Sequence, residues 1–376
     1  MRHRFYKYLW SIVESKKSQS IFKLVLRAYI PVQRPNNETT SDTTKLNDMD
    51  TEATDLPGWI VFTVFKTIVI ILGLLTNIAT FLSLTMNSEG FPQISRILLQ
   101  HQAIADSFVC IMGIGIYTQN FMWMTNNHVF NFILCHAWHG QAIYWGGVLL
   151  SVWNIVLIAV ERFMLINYPF KHRNLRPKHV YIVIVLMYSM NVICCIPGPL
   201  NVKYDKNRTE CLNELYSDSP SFASFMSNFS IFWFLIIYAA PITIFIVLYT
   251  RSLFTLRKLQ QKFRESNQKS LVLKVADQQL TRNAIAVAIV FVISLSWDSW
   301  FYVLAFSENV KYDLNSPFQV VGVFLATLNS CANPFIYAAF LPSFRRSLAK
   351  TFRMRNTKKH PHEMRTDVGR HINQLS

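Results

Sequence analysis

The sequence predicts an all-α membrane protein, a bundle of seven transmembrane helices followed by a short amphipathic eighth helix. Three observations carry that prediction. The 376-residue chain is 51% hydrophobic and only 15% charged, against roughly 25% charged residues in an ordinary soluble domain. Seven long apolar stretches follow one another, at about Trp59–Leu84, Arg96–Trp123, Cys135–Arg162, Lys178–Leu200, Met226–Arg251, Thr281–Ala305 and Phe318–Phe340. Each exceeds the roughly 20 residues a helix needs to cross a bilayer, and none has the period-two alternation of a barrel strand. The third observation is the placement of charge. With the first 58 residues left aside, 23 Lys/Arg fall on one side of the bundle, around Arg96, in Arg162–Lys178, in Arg251–Arg282 and after Arg345. The opposite loops hold four, Lys203, Lys206, Arg208 and Lys311. Positive residues gather on the cytoplasmic side. The expected arrangement is therefore a multi-pass plasma-membrane protein with its N-terminus outside and its C-terminus in the cytoplasm. Residues 1–58 then form an outer tail, 59–340 the membrane domain, and 341–376 the eighth helix and a cytoplasmic tail.

The net charge of +16 reads as a topology signal first, and second as contact with membrane lipid or an acidic partner. It does not point to nucleic acid. Within the tail, Met1–Pro35 carries eight Lys/Arg and one Glu, whereas Asn36–Leu56 carries six acids and one Lys. No apolar run there has the length of a cleaved signal, so the first span is expected to act as its own insertion signal. "IFKLVLRAYI" reads either as a short amphipathic helix on the membrane or as part of a segment outside a mature chain that starts at Met49. Cys135 opens the third span and Cys211 lies in the next outer loop, a compartment that permits disulfides, so the two are paired. Cys110, Cys194, Cys195 and Cys331 fall in or at the ends of helices and read as small packing residues. Sequons at Asn37 and Asn207 lie in outer segments and are candidate glycosylation sites; a third, at Asn228, lies close to the bilayer.

Each span carries polar residues that lipid makes expensive, and such residues are functional candidates for that reason. The first span holds Asn77 in "GLLTNIAT", and the second holds Asp106 in "HQAIADSF". The third holds Ser151 and ends in "ERFMLINYPF", with Glu161 placed to hold the guanidinium of Arg162. Arg162 follows Cys135 by 27 residues, roughly 40 Å along one helix. The fifth span carries Pro241 with Tyr249 eight residues later, and the sixth reads "SLSWDSW" around Trp297, Asp298 and Trp300. In the seventh, Asn329, Asn333 and Tyr337 recur every four residues and so share one face beside Ser330. Pro334 removes a backbone donor there and leaves a carbonyl in need of a partner. These groups meet only if the helices bundle with those faces inward. Asp106 ringed by Ser151, Asn329, Ser330 and Asn333 makes an oxygen-rich site that suits a small hard cation such as sodium; otherwise Asp106 is a protonated or water-bridged packing residue. No resident cofactor is expected besides that allosteric ion.

These residues together resemble the rhodopsin-like (class A) G-protein-coupled receptors over about Trp59–Phe352. "SCANPFIY" matches the Asn-Pro-x-x-Tyr motif, "ERF" is a variant of Asp-Arg-Tyr, and "FRRSL" matches the eighth helix. Asp106, Asn77, the Cys135–Cys211 bridge, Pro241 with Tyr249, and Trp297 also fit. The resemblance implies a heterotrimeric G protein as partner, met by Arg162, with Tyr249 and Tyr337 stabilising the active form. It implies that Asn333 and Pro334 belong to that switch, that Trp297 relays ligand contact, and that the Asp106 cluster holds sodium at rest. Four departures stand out. Ser299 replaces the proline after Trp297, and the usual tryptophan of the fourth helix is missing. Cys135 to Arg162 is two residues longer than usual. No acid of the sixth helix stands in register to pin Arg162, although Asp277 is near.

Between Cys135 and Val160 there is no Asp or Glu, so the carboxylate that holds amine ligands is absent. Thr327, not Lys, stands where visual pigments bind retinal. What remains is an extracellular ligand of peptide kind, with a small non-amine ligand as the alternative. Its pocket is expected to be lined by Tyr144, Trp145, Trp297, Asp298, Trp300, Phe301, Tyr302 and Thr327. The outer segments Asn36–Leu56, Asn201–Pro220 and Ser307–Phe318 hold 12 acids against five Lys/Arg, a field that draws in a basic neuropeptide. Asp298 is the candidate counter-ion; its alternative role is to bond a neighbouring helix. A transporter or channel is a competing class, opposed by the lack of an inverted repeat. An enzyme is not expected: His136 and His139 lie together without acidic partners.

Overall fold

The computed structural model describes residues 43–87, 92–116, 124–213, 220–265, 271–307 and 317–357. Among them, seven helices are long and apolar enough to cross a membrane: Val61–Met86, Gln93–Ile116, His128–Asn167, Pro177–Cys195, Ser224–Lys262, Ala286–Leu304 and Phe318–Phe340. They are the seven stretches read from hydropathy, with ends shifted by up to about ten residues; the largest shift extends the fifth span from Arg251 to Lys262. The first is the end of a longer helix, Thr43–Met86. The contacts divide the chain into Met1–Ile68 and Val69–Ser376. In the first unit the helix carries the Lys66 ammonium 5.6 Å from the centre of the Phe62 ring. The bundle described below is the second unit. Asn37 lies outside the described residues.

The second, third and seventh spans are mostly buried, whereas the fourth presents most of its surface outward. Val183, Val185, Leu186 and Ile193 on the fourth are exposed, as expected of a helix whose outer solvent is lipid tails. The main core gathers Val148, Val152 and Val156 of the third span, Phe245 of the fifth, Phe291 and Leu295 of the sixth, and Val323 of the seventh. At Pro334 the seventh helix lacks the N–H that would bond the carbonyl of Ser330. Asn77 Nδ2 of the first span donates to that carbonyl at 3.1 Å, so a side chain replaces the missing backbone bond.

The third span is not one uninterrupted helix, a correction to the reading of a single rod from Cys135 to Arg162. It starts at His128–Leu134, widens into a π-turn over Cys135–His139, and resumes as Ala142–Asn167. Between them Gln141 has φ 57°, a left-handed conformation that a non-glycine residue rarely adopts. Gly140 precedes it because a Cβ there would lie 2.7 Å from the carbonyl oxygen of His136. A second π-turn, Leu235–Ala239, precedes Pro241 in the fifth span. Beyond the fourth span the chain turns through Gly198–Asn201 into a hairpin, β1 (Val202–Asp205) against β2 (Glu210–Asn213), antiparallel with Tyr204 opposite Cys211. Cys211 is disulfide-bonded to Cys135. The eighth helix, Pro342–Thr357, docks on the first span: Ser347 Oγ donates to the Ser83 carbonyl at 3.0 Å, and Asn87 Nδ2 donates to Thr351 Oγ1 at 2.6 Å.

Candidate functional site

Three clusters lie along the bundle. The middle one centres on Asp106, which is fully buried. Ser151 Oγ donates to its Oδ1 at 2.5 Å and Asn333 Nδ2 to its Oδ2 at 2.8 Å. A third donor is Gln102, one turn earlier in the same helix, whose Nε2 lies 3.0 Å from both carboxylate oxygens and 2.8 Å from Ser151 Oγ. Asn329 and Ser330 are both buried; Asn329 Nδ2 has no hydrogen-bond partner among the described residues, while the Ser330 side chain faces the Asp106 carboxylate without a well-aligned bond. Of the five residues expected to surround a cation, the structure thus brings together Asp106, Ser151, Ser330 and Asn333. It turns amide hydrogens onto the carboxylate oxygens that an ion would need. This donor set does not fit a resident sodium ion. Gln102 is the residue that sequence reading missed, although its four-residue spacing from Asp106 puts both on one helix face.

The second cluster lies at the Glu161–Arg162 end. Glu161 is buried, and its Oε2 lies 3.5 Å from Arg162 Nε. Its Oε1 accepts from Ser95 Oγ at 2.7 Å and sits 3.0 Å from His172 Nε2. Ser95 comes from the second span and His172 from the short helix Pro169–Arg173 that follows the third. Glu161 therefore ties together two spans and a loop besides restraining the arginine. Tyr249 packs near Phe245 and Tyr337 near Phe344, and Tyr337 lies within electrostatic range of both Tyr249 and Arg162.

The third cluster is a cavity at the disulfide end. It is lined by Gly140, Gln141 and Trp145 of the third span, Cys194 and Cys195 of the fourth, Phe229 and Trp233 of the fifth, and Asp298 and Tyr302 of the sixth. Asp298 is buried; its Oδ1 has no hydrogen-bond partner among the described residues, whereas its carboxylate is hydrogen-bonded by Gln319 of the seventh helix. Among the described residues no Lys or Arg lines the cavity, and the charged group they supply is an acid among aromatic rings.

The chain matches the family model of the 7 transmembrane receptor (rhodopsin family) over residues 76–337. It belongs to that family. Among curated proteins, this receptor is similar to the rhodopsin of Petromyzon marinus, 23% identical over 298 residues that cover 77% of this chain and 80% of the relative. The rhodopsin of Sminthopsis crassicaudata is 24% identical, over 75% and 78%. The neuropeptide FF receptor 2 of Rattus norvegicus is 26% identical, over 57% and 55%. The protein is thus a multi-pass signalling receptor of the rhodopsin family and not an enzyme. The family implies an extracellular ligand and coupling to a G protein.

The pocket residues read from the receptor's sequence do not converge as one set. Trp145, Asp298 and Tyr302 line the cavity. Tyr144 and Thr327 lie buried together, with the Tyr144 hydroxyl donating to the Val323 carbonyl at 2.9 Å and lying 2.9 Å from Thr327 Oγ1. Trp297 faces the seventh helix: its Nε1 donates to the Phe318 carbonyl at 3.0 Å and its ring stacks on Phe318. Phe301 stacks on the same phenylalanine. Trp300 is 37% exposed and packs on Phe234. The inward row of the sixth helix is instead Phe291, Leu295, Asp298 and Tyr302, spaced by four, three and four, as a 3.6-residue period requires. Trp297 is set about 100° from Asp298 around the axis and does not line the cavity.

Proposed function

We propose that this receptor binds a basic peptide in the Asp298 cavity and activates a heterotrimeric G protein through the Arg162 end. The N-terminus and disulfide lie outside the cell and the eighth helix lies in the cytoplasm, the orientation that the charge asymmetry favours. The observation that carries the ligand reading is Asp298, a buried carboxylate in a cavity walled by Trp145, Phe229, Trp233 and Tyr302. A carboxylate and aromatic faces together suit a guanidinium or ammonium, by ion pairing and by cation–π contact. Acidic outer segments and the similarity to a neuropeptide receptor support a peptide as the carrier of that cation. Glu161, Asn333, Pro334, Tyr249 and Tyr337 serve the switch. Asn207, exposed in the turn of the hairpin, is the proposed sugar acceptor within the described chain.

The test is a screen of basic neuropeptides on cells expressing the receptor, read through a promiscuous G protein, followed by Asp298→Asn. That substitution keeps the shape and removes the charge. It should weaken a basic agonist by about 1–3 kcal/mol, or roughly 5- to 150-fold in potency. Unchanged potency at equal surface level would assign Asp298 to bonding between helices.

A further inference from the structure

The middle cluster holds more than a carboxylate and its neighbours. Gln102 is fully buried, and a chain of side chains fixes which way its amide points. The Leu98 carbonyl can only accept, so the group facing it at 3.0 Å is Asn154 Nδ2. The same Nδ2 donates to Gln102 Oε1 at 2.7 Å, which turns Gln102 Nε2 towards Asp106. On the other side, Asn154 Oδ1 accepts from His101 Nδ1 at 3.0 Å, leaving His101 Nε2 to accept from the Tyr188 hydroxyl at 3.2 Å. Tyr188, His101, Asn154 and Gln102 thus form a continuous rail from the outward-facing fourth span, through the second and third, to the buried carboxylate.

At the end of that rail one nitrogen serves three oxygens. Gln102 Nε2 lies 2.8 Å from Ser151 Oγ and 3.0 Å from each oxygen of Asp106. Its two hydrogens account for these contacts, one directed to the hydroxyl and one shared across the carboxylate. These three oxygens converge on a single point, and a small cation at Asp106 would have to occupy it. A hard cation takes about six oxygen ligands at short range, and it cannot sit where these three oxygens meet while the Gln102 N–H fills that point. Asn333 Nδ2, at 2.8 Å from Oδ2, adds a further donor.

We propose that the Gln102 carboxamide is a built-in replacement for a cation at Asp106. The bundle is closed around Asp106 by a tethered donor, and its resting state does not depend on sodium. The replacement needs no G protein or ligand, so its failure would leave the Asp298 reading untouched.

The test uses purified full-length receptor and the sodium ion alone as probe. Thermal unfolding is followed in sodium chloride and in choline chloride at equal ionic strength. The unsubstituted receptor should show equal midpoints in the two salts. Gln102→Leu removes the donor and frees the three oxygens. That variant should gain a saturable, sodium-specific rise in midpoint, on the order of 5 °C, and adding Asp106→Asn should abolish it. Two results overturn the proposal: a sodium-specific rise in the unsubstituted receptor that Asp106→Asn removes, or a folded Gln102→Leu variant indifferent to sodium. If Gln102→Leu does not fold, the unsubstituted receptor compared with Asp106→Asn decides alone. Equal salt midpoints in both support the replacement, and a sodium-specific rise confined to the unsubstituted protein refutes it.

Discussion

Arg162→Ala is expected to abolish G-protein activation at every ligand concentration while the receptor still reaches the cell surface. The Arg162 side chain is 24% exposed and meets Glu161 by one contact at 3.5 Å, so its removal opens no core cavity. What it removes is a planar, permanently charged group at the end of the third span. An ammonium or an apolar side chain does not reproduce its directed donors. The loss should appear in the maximal response and not in ligand affinity. Nucleotide exchange on a reconstituted G protein, at matched surface level, measures it, and a normal maximum would refute coupling through this end. Glu161→Gln should move the other way. It keeps the shape but removes the charge that holds Arg162 and engages Ser95 and His172. Signalling without ligand should rise several-fold, as expected when a restraint on the resting state is weakened.

Cys211→Ser should sharply reduce the amount of receptor at the surface and weaken ligand binding by what remains. The bridge joins residues 76 apart in sequence, and loop-closure entropy puts its stabilisation at about 4 kcal/mol. Without it, the hairpin keeps the packing of Val202 and Tyr204 on the core and hydrogen bonds to the start of the third span. Of these, the Tyr204 hydroxyl accepts from Asn131 Nδ2 at 3.2 Å and lies 3.0 Å from His128 Nδ1. The first is part-buried and the second exposed, so each is a modest contribution beside the disulfide. Cys135→Ser should give the same loss, and the double substitution should add nothing to either, because one bond is removed in all three cases. Antibody staining of intact cells reports the surface level. Additive losses would show that the two cysteines act separately.

The spans were legible because lipid imposes length and hydropathy together, and the mid-depth cluster was legible because a buried polar group is costly enough to stand out. Asp106, Ser151 and Asn333 meet for that reason. Gln102 carries the same signal but was passed over beside a carboxylate. The partners of Glu161 were illegible for a different reason: Ser95 lies 66 residues away, and His172 sits in a loop whose fold no pattern announced. The sixth helix misled because it is apolar around most of its circumference, so periodicity could not say whether Trp297 or Asp298 faces inward. Without a proline at Ser299 nothing else fixed its rotation. The hairpin was missed because two four-residue strands are too short for alternation to register.

The left-handed residue in the third span bears on how receptors of this kind can vary. Gln141 is buried, and its carbonyl still accepts from the Trp145 amide at 3.0 Å, so the helix below starts from a fixed point whatever precedes it. The π-turn and the left-handed residue lie between Cys135 and that point, and below it the helix runs regularly from Ala142 to Asn167. From Ala142 to Arg162 each side chain keeps its angle, including Ser151 towards Asp106 and Glu161 towards Ser95. Insertions and deletions before Gln141 would therefore reshape the roof of the cavity while leaving the transducing end in register. One backbone joint lets ligand choice drift independently of the machinery that reports it.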